Sequence, residues 1–310
     1  VRLSTAIRAA AATALAAGVA APILRRRLGL RPPVVTATAG LAPIALCVLV
    51  PRSRSRDIAV CVLQMWAYLA TYKMPYDDPD ALERRVRVEY PVRIDKAIGL
   101  GKTPTLRLQR AFGEPGRFNR LEKALVWSHW LWFLFPHGTV LYVLLRHPER
   151  FARTASHVYA TFDIGVIGYW AVPTAPPWYA AARGHMDDGR TPEVRRMMVE
   201  YGEQFWRSGW QPLYGVLGGN PLAAMPSLHF ATSITAAHML AETGRGAGLL
   251  AWTYTGTLGA ALVYLGEHYV VDLLAGLGLA EGIRRGSPAV RPAARALSRG
   301  IHALELKARP

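Results

Sequence analysis

The chain has 310 residues, 51% of them hydrophobic, and 37 basic against 21 acidic side chains give a formal net charge of +16. Its two cysteines, Cys47 and Cys61, lie inside apolar runs, which excludes a disulfide framework. The basic excess does not point to nucleic acid: the arginines form no tract interleaved with aromatics but cluster between apolar runs, at 25–31, 51–56, 146–153 and 284–299. That placement suits anionic headgroups and topology control.

Eight apolar segments follow one another at about 5–24, 34–50, 57–73, 124–145, 152–172, 226–243, 247–266 and 268–283. The Ala-rich first one reads as a span or an interfacial helix, and no cleavage site precedes Arg25. Residues 124–145 and 247–266 carry no formal charge and are each long enough to cross ~30 Å of hydrocarbon as one helix. The expected architecture is an all-α integral membrane protein. Residues 1–56 form N-terminal apolar helices, 57–285 a membrane core, and 286–310 a basic tail lying loosely at the membrane surface. Two polar connections, 74–123 and 173–226, interrupt the core and are expected to cap one face.

Heavy Ala and Arg usage, with Val at position 1, fits a GC-rich bacterial gene read from a GTG start. With eight spans, 51–56, 146–153, 244–246 and the tail share one side, cytoplasmic by the positive-inside rule. The polar connections and residue 267 then face the extracytoplasmic side of the plasma membrane. Arg25–Arg27 and Arg31 fit this only if the first segment does not span.

Chemistry concentrates in two strings, Ala224-Met-Pro-Ser-Leu-His-Phe-Ala231 and Glu267-His-Tyr-Val-Val-Asp272. His268 and Asp272 are four apart, on one helical face. A carboxylate accepting from one ring nitrogen fixes the tautomer and leaves the other nitrogen free to attack. Pro226-Ser227-Leu228 reads as a helix start with Ser227 as its cap, so first-turn N–H groups and the helix dipole favour a phosphate there. His229 in that turn is placed to give and take protons. A His–His–Asp set also suits zinc, and three polar residues at helix ends can be purely structural.

These strings, MPSLHFA and GEHYVVDLLAG, together with PTAPPW at 173–178, resemble the type 2 phosphatidic acid phosphatase superfamily. Within it they resemble the inositol phosphorylceramide synthase branch of inositolphosphotransferases. The resemblance covers roughly 57–285 and implies a six-helix transmembrane core, here with one or two N-terminal apolar helices added. It further implies metal-independent chemistry without a cofactor, in which His268 is the nucleophile forming a phosphohistidine. His229 is then the general acid and base, and Asp272 orients His268. The implied substrate is a lipid phosphate or phospholipid in the membrane, and the acceptor is water or an inositol-like alcohol.

The chain departs from the broader superfamily at two places. Leu262 stands where an arginine precedes the nucleophile by six residues, and PTAPPW replaces a Lys-x6-Arg-Pro motif. Phosphate-binding candidates are therefore Ser227, Thr174, Trp178 and Arg183, with Arg117, Arg120 and Lys123 as further cations. His129, His137 and His238 sit among aromatic or small apolar residues and are expected to be packed or hydrogen-bonded rather than catalytic. The rival reading is a non-catalytic lipid-binding or transport protein on the same helices.

Overall fold

The computed structural model describes residues 2–114, 116–186 and 194–309. Among these, the fold is all-helical apart from two isolated parallel bridges, Arg87 with Thr174 and Thr174 with Ala223. The chain divides into two compact units, residues 1–77 with 283–310, and residues 78–282.

The first unit contains α1 (Arg2–Leu24), α2 (Pro32–Leu49) and α3 (Arg54–Lys73), with α2 packed along both neighbours. Stretches Leu3–Leu24 and Pro32–Leu49 have the length and apolarity of membrane crossings, and only 22% and 33% of their windows are buried. Helix α3 starts where Ser53 caps it, its Oγ accepting from the Arg56 N–H at 3.1 Å.

The second unit begins with α4 (Pro79–Glu83), α5 (Glu89–Ile98), α6 (Pro104–Phe112) and α7 (Arg120–Leu131). It continues with α8 (Phe135–Arg146), α9 (Pro148–Ala171), α10 (Pro177–Ala182), α11 (Met197–Trp206) and α12 (Trp210–Leu217). Then come α13 (Leu228–Ala241), α14 (Arg245–Tyr264) and the start of α15 (Val270–Ala308). Proline stands in the first turn of α2, α4, α6, α8, α9 and α10, where its missing N–H costs nothing. A reciprocal capping box, Asn119 with Glu122, fixes the start of α7. Helix α13 is central: it packs on α14, α9 and α8, and α14 packs on α7 and α6.

Two expectations are corrected. The uncharged run 124–145 is not one helix: α7 ends at Leu131, three turn residues intervene, and α8 restarts at Phe135. Pro136 is the cause, since it lacks a donor and its ring clashes with the carbonyl four residues back, that of Trp132. The basic tail is not loose either, because α15 continues as helix to Ala308. Its end is anchored inside the first unit, where Ala308 packs with Ala11, Ala45 and Val48, and Glu305 meets Arg56 at 3.6 Å.

Candidate active site

The two histidine strings meet at one end of α13 and α15. Ser227 caps α13, its Oγ accepting from the Phe230 N–H at 3.3 Å, so His229 falls in the first turn. The Ser227 N–H donates to the Asp272 carbonyl at 3.0 Å, which ties the two helix starts together. Gly276 permits this closeness: a Cβ there would lie 2.6 Å from the Ser227 carbonyl oxygen.

His268, Asp272 and Ser227 are all buried. His268 Nδ1 donates to Asp272 Oδ2 at 3.3 Å, and the same oxygen accepts from the Tyr269 N–H at 2.9 Å. With Nδ1 carrying the proton, His268 Nε2 holds a lone pair. That nitrogen faces His229 Nδ1 at 3.1 Å, so His229 is the donor of this bond. The network thus sets both tautomers from a single buried carboxylate. Asp272 Oδ1 is buried without a hydrogen-bond partner.

Asp95 was not marked from sequence, yet it secures this arrangement. Fully buried, its carboxylate accepts from the N–H groups of Val270 and Val271 at 2.9 and 3.0 Å. A negative group at a helix N-terminus satisfies orphan donors and matches the dipole. Burial pushes the Asp95 carboxyl above its ordinary range; the two amides pull it back and the nearby Asp272 charge adds to the rise. No local signal reveals this residue, because its partners lie 175 residues or more away in the chain.

His129 joins the pair. Its ring lies 4.9 Å from that of His229 by centroids, and Trp132 lies against the same His229 ring at 4.1 Å. Both His129 nitrogens are buried without a hydrogen-bond partner. The turn forced by Pro136 is what brings Trp132 here, where its indole N–H donates to Thr232 Oγ1 at 3.0 Å. The other two histidines are placed as expected: His137 stacks on Phe162 at 5.6 Å and His238 pairs with Glu281 at 2.7 Å. The aromatic run around 127–135 also packs, with Trp130 against Tyr201 and Trp210.

The remaining sequence candidates are spread around this centre. Thr174 is fully buried, its hydroxyl shared with the Tyr90 hydroxyl at 2.8 Å and donated to the Val172 carbonyl. Its backbone bridges the segments at Arg87 and Leu222–Ala224, so Thr174 serves as a strut under the strap leading to Ser227. Trp178 donates its N–H to the Gly266 carbonyl at 3.2 Å, two residues before His268. Arg183 sits apart, in an exposed ion pair with Glu83 at 3.0 Å and over the Tyr179 ring.

A different arginine lies beside the turn that delivers His268. Arg196 pairs with Glu267 at 3.2 Å, donates to the Tyr214 hydroxyl at 2.8 Å, and lies 3.9 Å over the Trp178 ring. Burial works against its charge, but Glu267 and Tyr214 more than offset that and its pKa is raised. In sequence it is one of two adjacent arginines in a polar connection, and nothing local distinguishes it.

Among the described residues, no group of three or more His, Cys, Asp or Glu side chains is arranged to hold a metal ion. What the site offers is an imidazole with a free lone pair, a second imidazole presenting a proton to it, and a capped helix start beside both.

The family model of the PAP2 superfamily matches residues 93–283, more than half of the chain. A phosphoinositol dihydroceramide synthase of Bacteroides thetaiotaomicron is 33% identical over 121 residues, covering 38% of this chain and 39% of that relative. The match therefore spans well under half of the relative's length. No solved structure matches the chain.

Proposed function

The chain belongs to the PAP2 superfamily, and from that premise we propose that it is a membrane lipid-phosphate phosphatase or phosphotransferase working through a phosphohistidine. One observation carries the reading: His268 turns Nδ1 to the Asp272 carboxylate at 3.3 Å, which leaves Nε2 as the nitrogen available for attack, 3.1 Å from His229 Nδ1.

Phosphoryl transfer needs positioning and charge neutralisation more than covalent chemistry from the protein. In this reading a lipid phosphate enters from the bilayer, and its phosphoryl group parts the two imidazoles, since 3.1 Å leaves no room for a phosphorus atom. The His268 Nε2 lone pair forms the N–P bond as the ester P–O bond breaks. His229, entering the step as the imidazolium, gives its Nδ1 proton to the departing alkoxide and becomes neutral, and Asp272 stabilises the positive charge that grows on His268. Water or an alcohol then gives its proton to His229 and attacks phosphorus, restoring His268.

Both acceptors share the first half-reaction. The relative named a phosphoinositol dihydroceramide synthase favours an inositol-like alcohol, with a phospho-headgroup as the group transferred. Radiolabelled lipid phosphate supplied with and without inositol-like alcohols tests this: a labelled alcohol product supports transfer, and inorganic phosphate in every condition supports hydrolysis. Retained turnover in His268→Ala would exclude the mechanism and favour the non-catalytic reading.

The site is proposed to face the extracytoplasmic side of a bacterial plasma membrane. Arg150 and Arg153 gather on Glu242 at the C-terminus of α13, while Ser227 and His229 occupy its N-terminus. Fourteen residues of helix, about 21 Å, separate a basic end from the reactive end. Positive charge marks the cytoplasmic side.

A further inference from the structure

We propose that Arg196 is the phosphate-binding cation of this site, kept beside the nucleophile's turn by Glu267 and offering its uncommitted Nη1 to the incoming phosphoryl group. This rests on the phosphoryl-transfer reading above and supplies the positive charge which that reading otherwise lacks.

The placement of Arg196 is built into the backbone. The segment Val194–Met197 lies directly on the turn Leu265–Glu267 that delivers His268. The Met197 N–H donates to the Leu265 carbonyl at 3.3 Å. The Gln109 side chain clamps Arg195 from both sides, accepting from its N–H at 2.8 Å and donating to its carbonyl at 3.0 Å. A second Gln109 bond, 2.7 Å to the Tyr264 carbonyl, joins that clamp to the end of α14. Gly266 seals the contact: its φ of +81° suits glycine, and a Cβ would come within 2.8 Å of the Arg195 carbonyl oxygen. The Arg196 backbone is thereby held beside the turn carrying Glu267, the chain neighbour of His268.

Its side chain is held in a defined plane with one nitrogen spare. Nε donates to Glu267 Oε1 and Nη2 to the Tyr214 hydroxyl, and the guanidinium carbon lies 3.9 Å from the centre of the Trp178 ring. No described residue bonds Nη1. A stacked, planar guanidinium is the form that recognises phosphate oxygens with geometric selectivity. The neighbouring cations are engaged elsewhere: Arg195 with Glu200 and the Glu114 carbonyl, Arg183 with Glu83 in the open. At rest Glu267 neutralises Arg196; a dianionic phosphoryl group competes for the same fork and turns it toward His268.

Tungstate, a tetrahedral oxyanion, reports binding without turnover. Its affinity is measured by calorimetry on detergent-purified His268→Ala protein carrying Arg196→Gln, Arg196→Lys or Glu267→Gln. The expected result is at least tenfold weaker binding in the Arg196→Gln protein and partial recovery with lysine. Glu267→Gln should bind at least as tightly as its parent. Equal tungstate affinity in the Arg196→Gln protein and its parent would overturn the proposal, as would equal losses from Arg196→Gln and Glu267→Gln, which mark a merely structural ion pair. Lipid-phosphate turnover by His268→Ala would instead sink the catalytic reading, whatever tungstate does.

Discussion

His229 and His268, 39 residues apart in the chain, hydrogen-bond ring to ring at 3.1 Å, and the bond's direction is dictated by Asp272 on the far side of His268. A buried carboxylate thus controls the protons of two imidazoles in series. Most of the expected behaviour of the molecule follows from that chain of three groups.

Asp272→Asn replaces an acceptor-only group with an amide that can present N–H to His268. The ring then settles in the tautomer with its proton on Nε2, and the lone pair needed for attack is lost. Turnover should fall on the order of 10³–10⁴-fold, with a smaller loss of thermal stability because the Tyr269 N–H shares the replaced oxygen. Steady-state kinetics beside a thermal melt checks this; activity within tenfold of the parent would show that Asp272 does not set the tautomer.

His229→Gln removes the proton donor but leaves His268 intact. The loss should depend on the leaving group: about 10²–10⁴-fold for alkyl lipid phosphates, and far less for p-nitrophenyl phosphate, whose phenolate departs unprotonated. Equal losses on both substrates would deny His229 the acid role.

Asp95→Ala strips two amides at the start of α15 of their acceptor in a buried setting. A cost of about 3 kcal/mol is expected, read as a lowered denaturation midpoint in detergent. Hydrogen exchange should quicken first at Val270 and Val271. Unchanged protection at those amides would contradict the anchoring role.

The histidine pair and its aspartate were legible in sequence because helical spacing and a cap signal are local. Ser227 before His229, and four residues from His268 to Asp272, state which face each side chain takes. The break at Trp132–Leu134 was legible in principle from Pro136, but the uncharged run around it outweighed one proline. Asp95, Arg196 and His129 were not legible as site residues. Each acquires its place from contacts across the fold, through α15, the turn at Gly266 and the ring of His229 respectively. Arg183 was named for its nearness in sequence to PTAPPW, and the exposed ion pair it makes with Glu83 depends on a partner 100 residues away that spacing does not reveal.

Orientation is checked with a single cysteine. Ser208→Cys, exposed in the connection before α12, is made in a background with Cys47 and Cys61 replaced. An impermeant maleimide should label it in intact cells. Labelling only after permeabilisation would put the site on the cytoplasmic face.

The central claim is that phosphorus becomes bonded to His268. Rapid acid-free quenching of a single turnover with ³²P-labelled lipid phosphate, followed by peptide mapping, tests it most directly. Acid-labile, alkali-stable label should appear on the peptide carrying His268 and be absent from His268→Ala. Turnover of the lipid phosphate with label absent from that peptide, or label retained in His268→Ala, would contradict the account.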